Sequence, residues 1–143
     1  MNLKGKVVVI TGGGRGLGHA FASELADKGT NLALVDLNQA GLNATKEMAL
    51  AKGVKVQTYV TNVAKEDEVV SLFDQIVKDF GQVDGLINNA GITRDGLIVR
   101  KKKIKDEAGN VTGEEIQKMS LQNWQMVIDV NLTGVFLCAR EFF

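Results

Sequence analysis

Five glycines crowd into residues 12–18, directly after the apolar run at 7–10. Glycine accepts positive φ angles and has no Cβ, so backbone N–H groups in such a run can come close to a ligand. Residues 17–25 follow with a helical pattern, and a helix N-terminus carries a partial positive charge. Unpaired N–H groups beside that charge suit a phosphate or a pyrophosphate. A strand-to-helix turn without a ligand uses the same residues, so the glycines alone leave both interpretations open.

The spacing of the glycines separates the classes of nucleotide-binding turn. A mononucleotide P-loop needs Lys and then Ser or Thr after its last glycine, whereas His19 follows Gly18 here. The G-x-G-x-x-G dinucleotide pattern also fails when counted from Gly12, because Leu17 occupies its last position. The pattern that fits is Thr-Gly-x-x-x-Gly-x-Gly, at Thr11, Gly12, Gly16 and Gly18.

A carboxylate ends the second apolar run, residues 32–36, about 20 residues beyond the glycine turn. In a dinucleotide-binding fold, an acid at this point binds the hydroxyls of the adenosine ribose. Asp36 would repel a 2′-phosphate and so favours NAD, whereas Arg15 in the turn could pair with that phosphate. We therefore expect NAD as the cofactor and keep NADP as the alternative. Taken alone, Asp36 could also be a helix cap.

The elements that must position these residues alternate along the chain. Short apolar runs predict buried strands at 7–10 and 32–36, an alternating strand near the edge of the sheet at 54–60, and a fourth strand at 83–88. This alternation with helices predicts an α/β fold with a doubly wound parallel sheet and right-handed crossovers. The predicted helices cover 17–28, 39–52 and 65–80.

Two helices carry more specific expectations. In the first helix, Leu17, Phe21 and Leu25 fall on one stripe, which we expect to face the core. The helix at 39–52 should be capped by Asn38.

Composition limits the class of protein. The 143 residues carry 17 basic and 17 acidic side chains, so the balance of charge does not suggest nucleic acid as a partner. No apolar run is long enough to cross a membrane. The first strand begins too early for a signal peptide, and Cys138 is the only cysteine, so we expect a cytoplasmic protein. One histidine and one cysteine make no metal site.

The segment 92–119 interrupts the alternation of strands and helices. It holds the basic run at 100–105 and then Ala, Gly and Asn at 108–110, which favours an excursion, as a β-hairpin, at about 98–119. Ser120 should then cap a last helix that carries Leu121 and Trp124 among its apolar positions.

Several motifs in one order resemble the short-chain dehydrogenase/reductase family and together cover nearly the whole chain. The resemblance implies a Rossmann-type NAD(P)-binding domain over 1–143, with strand order 3-2-1-4 for the part present and an end before the fifth strand. The motifs are the Thr-Gly-x-x-x-Gly-x-Gly turn, Asp36, Asn62-Val63, the Asn-Asn-Ala-Gly run at 88–91 and the Asn-Leu-Thr-Gly run at 131–134.

The resemblance also assigns roles to residues. It implies that Asn131 is catalytic and holds a water in a proton relay, and that Asn62 binds the adenine amino group with Val63 beside the ring. The run at 88–91 should lie near the ribose and brace the sheet. The expected cofactor-binding residues are Thr11, Gly12, Gly14, Arg15, Gly16, Leu17, Gly18, Asp36, Leu37, Asn62, Val63, Asn89, Ala90 and Gly91.

The segments at 92–95 and 124–140 are most similar to the β-ketoacyl-acyl-carrier-protein reductases of that family. This similarity implies an oxidoreductase for a ketone or secondary alcohol, with a 3-oxoacyl thioester as candidate substrate. Two features depart from the subgroup, which usually takes NADPH: Asp36 favours NAD, and the excursion at 98–119 is extra. The basic run could contact an acidic acyl carrier protein or the phosphate of an acyl thioester, although most such runs are solvated faces.

The family's reaction also needs a tyrosine, a lysine four residues later and a serine, all beyond its fifth strand. The only tyrosine here is Tyr59, and Val63 stands four residues after it. We therefore expect residues 1–143 alone to bind a cofactor without catalysis. The alternatives are a non-catalytic dinucleotide-binding or regulatory module and a structural domain with an empty turn. A homo-oligomer should form through the last helix.

Overall fold

The computed structural model describes residues 2–94 and 96–143. Met1 and Asp95, the last residue of the 92–95 motif, lie outside the described residues. The strands are β1 (Val7–Thr11), β2 (Asn31–Asp36), β3 (Val56–Val60), β4 (Gly85–Ile87), β5 (Val99–Lys105) and β6 (Val111–Lys118). The helices are α1 (Gly16–Asp27), α2 (Gln39–Leu50), α3 (Glu66–Phe80), α4 (Leu121–Ile128) and α5 (Gly134–Phe142), with a π-helical segment, Asp129–Thr133, between the last two.

The first four strands form a parallel sheet in the order β3-β2-β1-β4. In the register, Val9 of β1 lies opposite Ala33 on one side and Leu86 on the other. The α/β class and the strand order predicted from the sequence are confirmed.

Both outer strands are shorter than the sequence predicts, and side chains explain where they start. β4 begins at Gly85, because Asp84 Oδ2 accepts a hydrogen bond from Val7 N at 2.8 Å in place of a further residue of the ladder. β3 begins at Val56, because Asn31 Oδ1 accepts from Lys55 N at 3.0 Å.

Alternate residues of the sheet feed two separate cores. Ile10 and Leu34 point into one core with the buried residues of α1 and α2, and Val9 and Val35 point into the other with α3 and α5. All four side chains are fully buried. The sheet is therefore the middle of three layers, as its uninterrupted apolar strands indicate.

The predicted apolar stripe of α1 meets the core only at Leu25, which packs against it, whereas its first two members do not. Leu17 is 68% exposed and Phe21 is 38% exposed, whereas Ala22 and Ala26 are buried. The reason is a close approach of the helix to the glycine turn, since a Cβ at Gly18 would lie 2.0 Å from Gly12 O. Only a face of small residues allows that approach, so Leu17 and Phe21 are turned outward.

Side-chain caps start α2 and α4, as the sequence predicts, and a glycine ends α3. Asn38 Oδ1 accepts from Gly41 N at 3.1 Å at the start of α2, and Ser120 Oγ accepts from Asn123 N at 3.1 Å at the start of α4. α3 ends at Gly81, whose φ of +79° suits glycine.

The excursion folds as an antiparallel hairpin of β5 and β6, in which Lys102 lies opposite Glu115. Next to the body of the domain, the two legs of the hairpin are joined by the hydrogen bond from Met119 N to Ile98 O, at 2.9 Å. Every residue of β5 is exposed. The hairpin therefore projects from the three-layer body.

Within residues 2–94 and 96–143, no helix has the length and apolar character that crossing a bilayer requires. The same residues contain no cluster of three or more potential metal-ligating histidine, cysteine or acidic side chains.

Candidate functional site

A cavity of about 660 Å³ lies where β1, β2 and β4 end, at the side of the sheet that the glycine turn faces. Crevices at the carboxyl ends of parallel strands are the usual ligand sites of such sheets. Of the expected cofactor-binding residues, those lining this cavity are Gly12, Arg15, Gly16, Leu17, Asp36, Leu37, Asn62, Val63, Asn89, Ala90 and Gly91.

The glycine turn is shaped by different constraints at different positions. Gly12 and Gly16 have φ values of +67° and +53°, a region that other residues rarely adopt. A Cβ at Gly12 would also lie 2.9 Å from Asn89 Nδ2, and Gly18 admits no Cβ at all. The turn thus keeps its backbone bare at the cavity, which is the shape a pyrophosphate requires.

Thr11 ties the turn to the end of β4. Its Oγ1 accepts hydrogen bonds from Asn89 N and Ala90 N, each at 3.0 Å, and donates to Ile87 O at 3.4 Å. Asn89 Nδ2 returns the contact, donating to Thr11 O and Gly12 O at 3.2 Å. Thr11 is 1% exposed and does not line the cavity, so it acts as a buried brace.

Asp36 is held in place by two backbone groups. Its Oδ2 accepts from Gly14 N at 3.0 Å, and its Oδ1 accepts from Asn38 N at 3.0 Å. A Cβ at Gly14 would lie 3.0 Å from Asp36 Oδ2, which explains why glycine stands there although Gly14 is not a lining residue. The carboxylate at the tip of β2 therefore sits beside the glycine turn in a fixed position.

Asn62 and Val63 form the wall beyond β3. Asn62 N donates to Glu68 Oε2 at 2.8 Å, and Asn62 Oδ1 accepts from Ala64 N at 3.0 Å. The hydrogen bonds from Asn62 N and from Lys65 lower the pKa of the Glu68 carboxyl. A carbonyl oxygen has two lone pairs, so Asn62 Oδ1 keeps one for a ligand.

Val63 connects this wall to the last helix. A Cβ at Gly134 would lie 2.9 Å from Val63 Cγ2, so the glycine of the 131–134 run lets α5 pack directly behind the cavity.

Asn131 lies in the π-helical segment, as its expected disruption of the helix requires. Its side chain makes a reciprocal pair with one residue: Oδ1 accepts from Ile92 N and Nδ2 donates to Ile92 O, both at 2.9 Å. Asn131 itself is outside the cavity lining, whereas Ile92 lines it. The side chain of Asn131 therefore fixes the segment that follows β4.

Tyr59 lies on β3, away from the cavity, as the sequence predicts. Its hydroxyl donates to Asp79 Oδ2 at 2.7 Å. Burial, together with the hydrogen bond to Asp79 and the charge of that residue, raises the pKa of the Tyr59 phenol. A phenol so held does not serve as a proton donor and acceptor at the cavity.

Five residues line this cavity that the sequence did not predict to do so. The sequence indicated Ile92 only as part of the motif at 92–95, and Asn38 only as a helix cap. For Asn38 a signal existed, since it follows the tip of β2 by two residues and its N–H reaches the carboxylate. The five residues are Val35, Asn38, Thr61, Ile92 and Val130.

Comparison with known proteins identifies relatives of this arrangement. The family model described as short chain dehydrogenase matches residues 6–143. The 3-oxoacyl-acyl-carrier-protein reductase of Staphylococcus epidermidis is 39% identical over 140 residues, which are 95% of this chain and 49% of that protein. The corresponding reductase of Thermotoga maritima is 35% identical over 136 residues, with 95% of this chain and 48% of that protein covered. The chain thus spans about half the length of the curated relatives it matches.

Solved structures of oxidoreductases also superimpose on nearly the whole chain. A putative D-mannonate oxidoreductase from Haemophilus influenza, crystallised with bound NAD, superimposes with a TM-score of 0.81 at 29% identity, covering 99% of this chain and 50% of that one. An NAD⁺-bound xylitol dehydrogenase superimposes with a TM-score of 0.78 at 30% identity, covering 99% of this chain and 48% of that one.

Proposed function

The chain belongs to the short-chain dehydrogenase family, and from that premise we propose that it is the cofactor-binding part of an NAD(P)-dependent oxidoreductase. The reaction interconverts a ketone and a secondary alcohol. The bound nicotinamide cofactor supplies or accepts the hydride, and the residues described above bind and orient it. The two superimposed structures named above are described as holding NAD, which supports the proposal.

The observation that carries the proposal is the fixed carboxylate of Asp36. It stands beside a glycine turn that is bare of side chains, and Gly14 N and Asn38 N hold both of its oxygens. A cavity with a pyrophosphate cradle at one point and an acceptor for ribose hydroxyls at the next matches the two ends of an adenosine diphosphate unit.

The same carboxylate favours NAD over NADP. A 2′-phosphate would bring a second negative charge against Asp36, and the two backbone hydrogen bonds prevent the carboxylate from turning away. Arg15 also lines the cavity and could pair with that phosphate. The preference for NAD therefore depends on how far the repulsion of the 2′-phosphate by Asp36 exceeds its attraction by Arg15.

We propose a 3-oxoacyl thioester as the substrate class. The support is the name shared by the reductases of Staphylococcus epidermidis and Thermotoga maritima, each more than 34% identical to this chain. An acyl carrier protein would then be the partner that presents the thioester.

Asn131 takes a positioning role in this proposal. Both polar atoms of its side chain are engaged with Ile92, so the side chain orients the segment that borders the cavity. Any water of a proton relay would then be held by groups other than this amide.

Residues 1–143 contain one tyrosine, Tyr59, and it is engaged with Asp79 outside the cavity. We therefore propose that these residues alone bind the cofactor without turning over a substrate. The alternative, a non-catalytic dinucleotide-binding module, shares the binding step and differs only in the activity of the protein that contains the chain.

Self-association through the last helices is a further part of the proposal. Leu121, Trp124 and Phe136 are 78%, 52% and 60% exposed, which leaves an apolar surface on α4 and α5. The free thiol of Cys138 is buried, in keeping with the cytoplasm as the proposed location.

The cofactor proposal is tested by titrating the protein with NADH and with NADPH and following nicotinamide fluorescence. We expect NADH to bind about tenfold more tightly than NADPH, and Asp36→Asn to remove that ratio, because one charge–charge contact is worth about one factor of ten. Asp74→Asn, an exposed carboxylate change on α3, is the matched control and should leave the ratio intact. Absence of binding of either cofactor would overturn the proposal.

A further inference from the structure

A second cavity of about 280 Å³ lies at the root of the hairpin, where β5 and β6 join the body. Three basic side chains line it: Arg94 from the segment after β4, Arg100 from β5 and Lys118 from β6. The remaining described lining residues are polar or apolar and uncharged. Three separate stretches of chain thus bring positive charge to one concave place.

Among the described residues, the three cations of the cavity lack the carboxylate partners that two lysines of β5 have. Lys101 and Lys102 each lie within 4.0 Å of a carboxylate, Glu114 and Glu115, at 3.4 and 3.6 Å. Arg94, Arg100 and Lys118 form no such ion pair with any carboxylate in residues 2–94 and 96–143.

The stretches of sequence around the cavity carry a net positive charge. The two segments that build the cavity, 94–100 and 117–123, carry three cations against one carboxylate, Asp95, which is a net charge of +2. One of the cations is also pre-positioned, since Arg100 Nε donates to Gln117 Oε1 at 2.7 Å. The other guanidinium nitrogens of Arg100 remain available as a fork for an oxyanion.

The cavity lies close to the larger cavity of the proposed cofactor site. Ile92, which lines the large cavity and pairs with Asn131, stands two residues before Arg94. Two residues of chain span at most about 7 Å, so the two cavities are neighbours along one edge. A substrate whose carbonyl reaches the first cavity could place a charged group of its tail in the second.

We propose that the cavity at the hairpin root is a phosphate-binding subsite for the pantetheine arm that carries the acyl thioester. This inference rests on the proposed function for the nature of the thioester, and on Arg94, Arg100 and Lys118 for the phosphate. Two guanidinium groups and one ammonium around a single concavity are suited to a phosphodiester, which offers several acceptor oxygens. The hairpin is then the element that adds this subsite to the domain.

The test compares a double variant, Arg100→Gln with Lys118→Gln, against a matched control, Lys103→Gln with Lys105→Gln. Both remove two positive charges from the hairpin, but the control residues lie outside the cavity. The complete protein is assayed with three 3-oxoacyl thioesters: of coenzyme A, of acyl carrier protein, and of N-acetylcysteamine, which has no phosphate.

We expect the double variant to lower kcat/KM for the coenzyme A and carrier-protein thioesters by about tenfold to a hundredfold, and to leave the N-acetylcysteamine thioester unchanged. The control should leave all three unchanged. An equal loss with all three thioesters, or no loss, would overturn the subsite. A loss confined to the carrier-protein thioester would also overturn it, because the cations would then contact the protein rather than the arm.

A direct titration separates failure of the subsite from failure of the proposed function. Inorganic phosphate is added to the protein while the amide resonances of residues 96–100 and 117–120 are followed. We expect shifts there in the wild type and the control, and their loss in the double variant. If no thioester is turned over but this pattern holds, the proposed substrate fails and the phosphate site stands. If the resonances do not respond in the wild type, the site itself is overturned.

Discussion

Asn131 and Ile92 exchange two hydrogen bonds of 2.9 Å, one in each direction, between an amide side chain and a backbone peptide. The pair joins the π-helical segment to the stretch that leaves β4. A Cβ at Gly91 would lie 3.4 Å from Asn131 Oδ1, an ordinary van der Waals distance, so the amide packs directly against this position. The pair therefore sets the border between the cofactor cavity and the hairpin root.

We predict that Asn131→Ala costs about 1 kcal/mol in the free energy of unfolding, because two hydrogen bonds are lost at an exposed side chain, where water replaces part of each. Binding of NADH should also weaken, since Ile92 borders the cavity. Urea unfolding and fluorescence titration measure the two effects. Asn88→Ala is the control, as Asn88 Nδ2 makes one long contact of 3.5 Å with Val135 O. Equal losses of stability and of NADH affinity in the two variants would contradict the conclusion that the Asn131–Ile92 pair fixes the border of the cavity.

Gly18→Ala should weaken NADH binding by about tenfold to a hundredfold, because its Cβ would collide with Gly12 O and push the turn out of shape. The control is Gly109→Ala in the hairpin turn, where φ is +86° and no atom lies within 4 Å of the added Cβ. That variant carries backbone strain without touching the cavity, and its affinity should match the wild type. Calorimetric titration with NADH decides between them, and unchanged affinity of Gly18→Ala would rule out the turn as the pyrophosphate site.

Asp84 gives a prediction about acid stability. Hydrogen bonds from Lys6 Nζ and from Val7 N, both 2.8 Å long, hold the pKa of this carboxyl below its ordinary value. A lowered pKa in the folded state adds stability that is present above the ordinary carboxyl range and is lost as the pH falls through the folded value.

Asp84→Asn should accordingly be less stable than the wild type at neutral pH, and the gap should close in acid. Urea unfolding midpoints between pH 7 and pH 3 measure it. Asp74→Asn removes an exposed carboxylate that has no hydrogen-bond partner among the described residues, and it serves as the charge control. A difference in stability between the wild type and Asp84→Asn that stays constant over the whole pH range would refute the stabilisation by the charged Asp84 carboxylate.

Cys138 gives a prediction at the alkaline side. Burial raises the pKa of its thiol to about 11, so the thiolate is scarce near pH 8. We expect iodoacetamide to label the folded protein at least about a hundredfold more slowly than the protein unfolded in urea at the same pH. Folded stability should also fall as the pH rises above the ordinary thiol pKa, because the unfolded chain then loses its proton first. Rapid labelling of the folded protein would contradict the burial of this residue.

The sequence was informative where the spacing of several residues together, rather than any one of them, restricts the structure. The glycine spacing and the carboxylate after β2 predicted the large cavity, because positive φ, absence of a Cβ and a charge at a strand end are strict local requirements. The sheet order came from the resemblance to a family rather than from the pattern alone.

The sequence was misleading where two patterns overlap. Leu17, Phe21 and Leu25 and the set Gly18, Ala22 and Ala26 are both helical stripes, and hydrophobicity favours the first. The close approach between α1 and the glycine turn, a contact across the fold, selects the second. Likewise, nothing local to Ile92 marks it as the partner of Asn131, 39 positions later.

The two legs of the hairpin leave and re-enter the body side by side, joined by the hydrogen bond from Met119 N to Ile98 O. The parallel sheet therefore never depends on what lies between these two points. A lineage of such proteins could lengthen, shorten or discard the whole projection in one step while the nucleotide-binding framework stays untouched. On the two proposals above, substrate recognition at this root and cofactor binding in the large cavity would reside in separable parts of the chain.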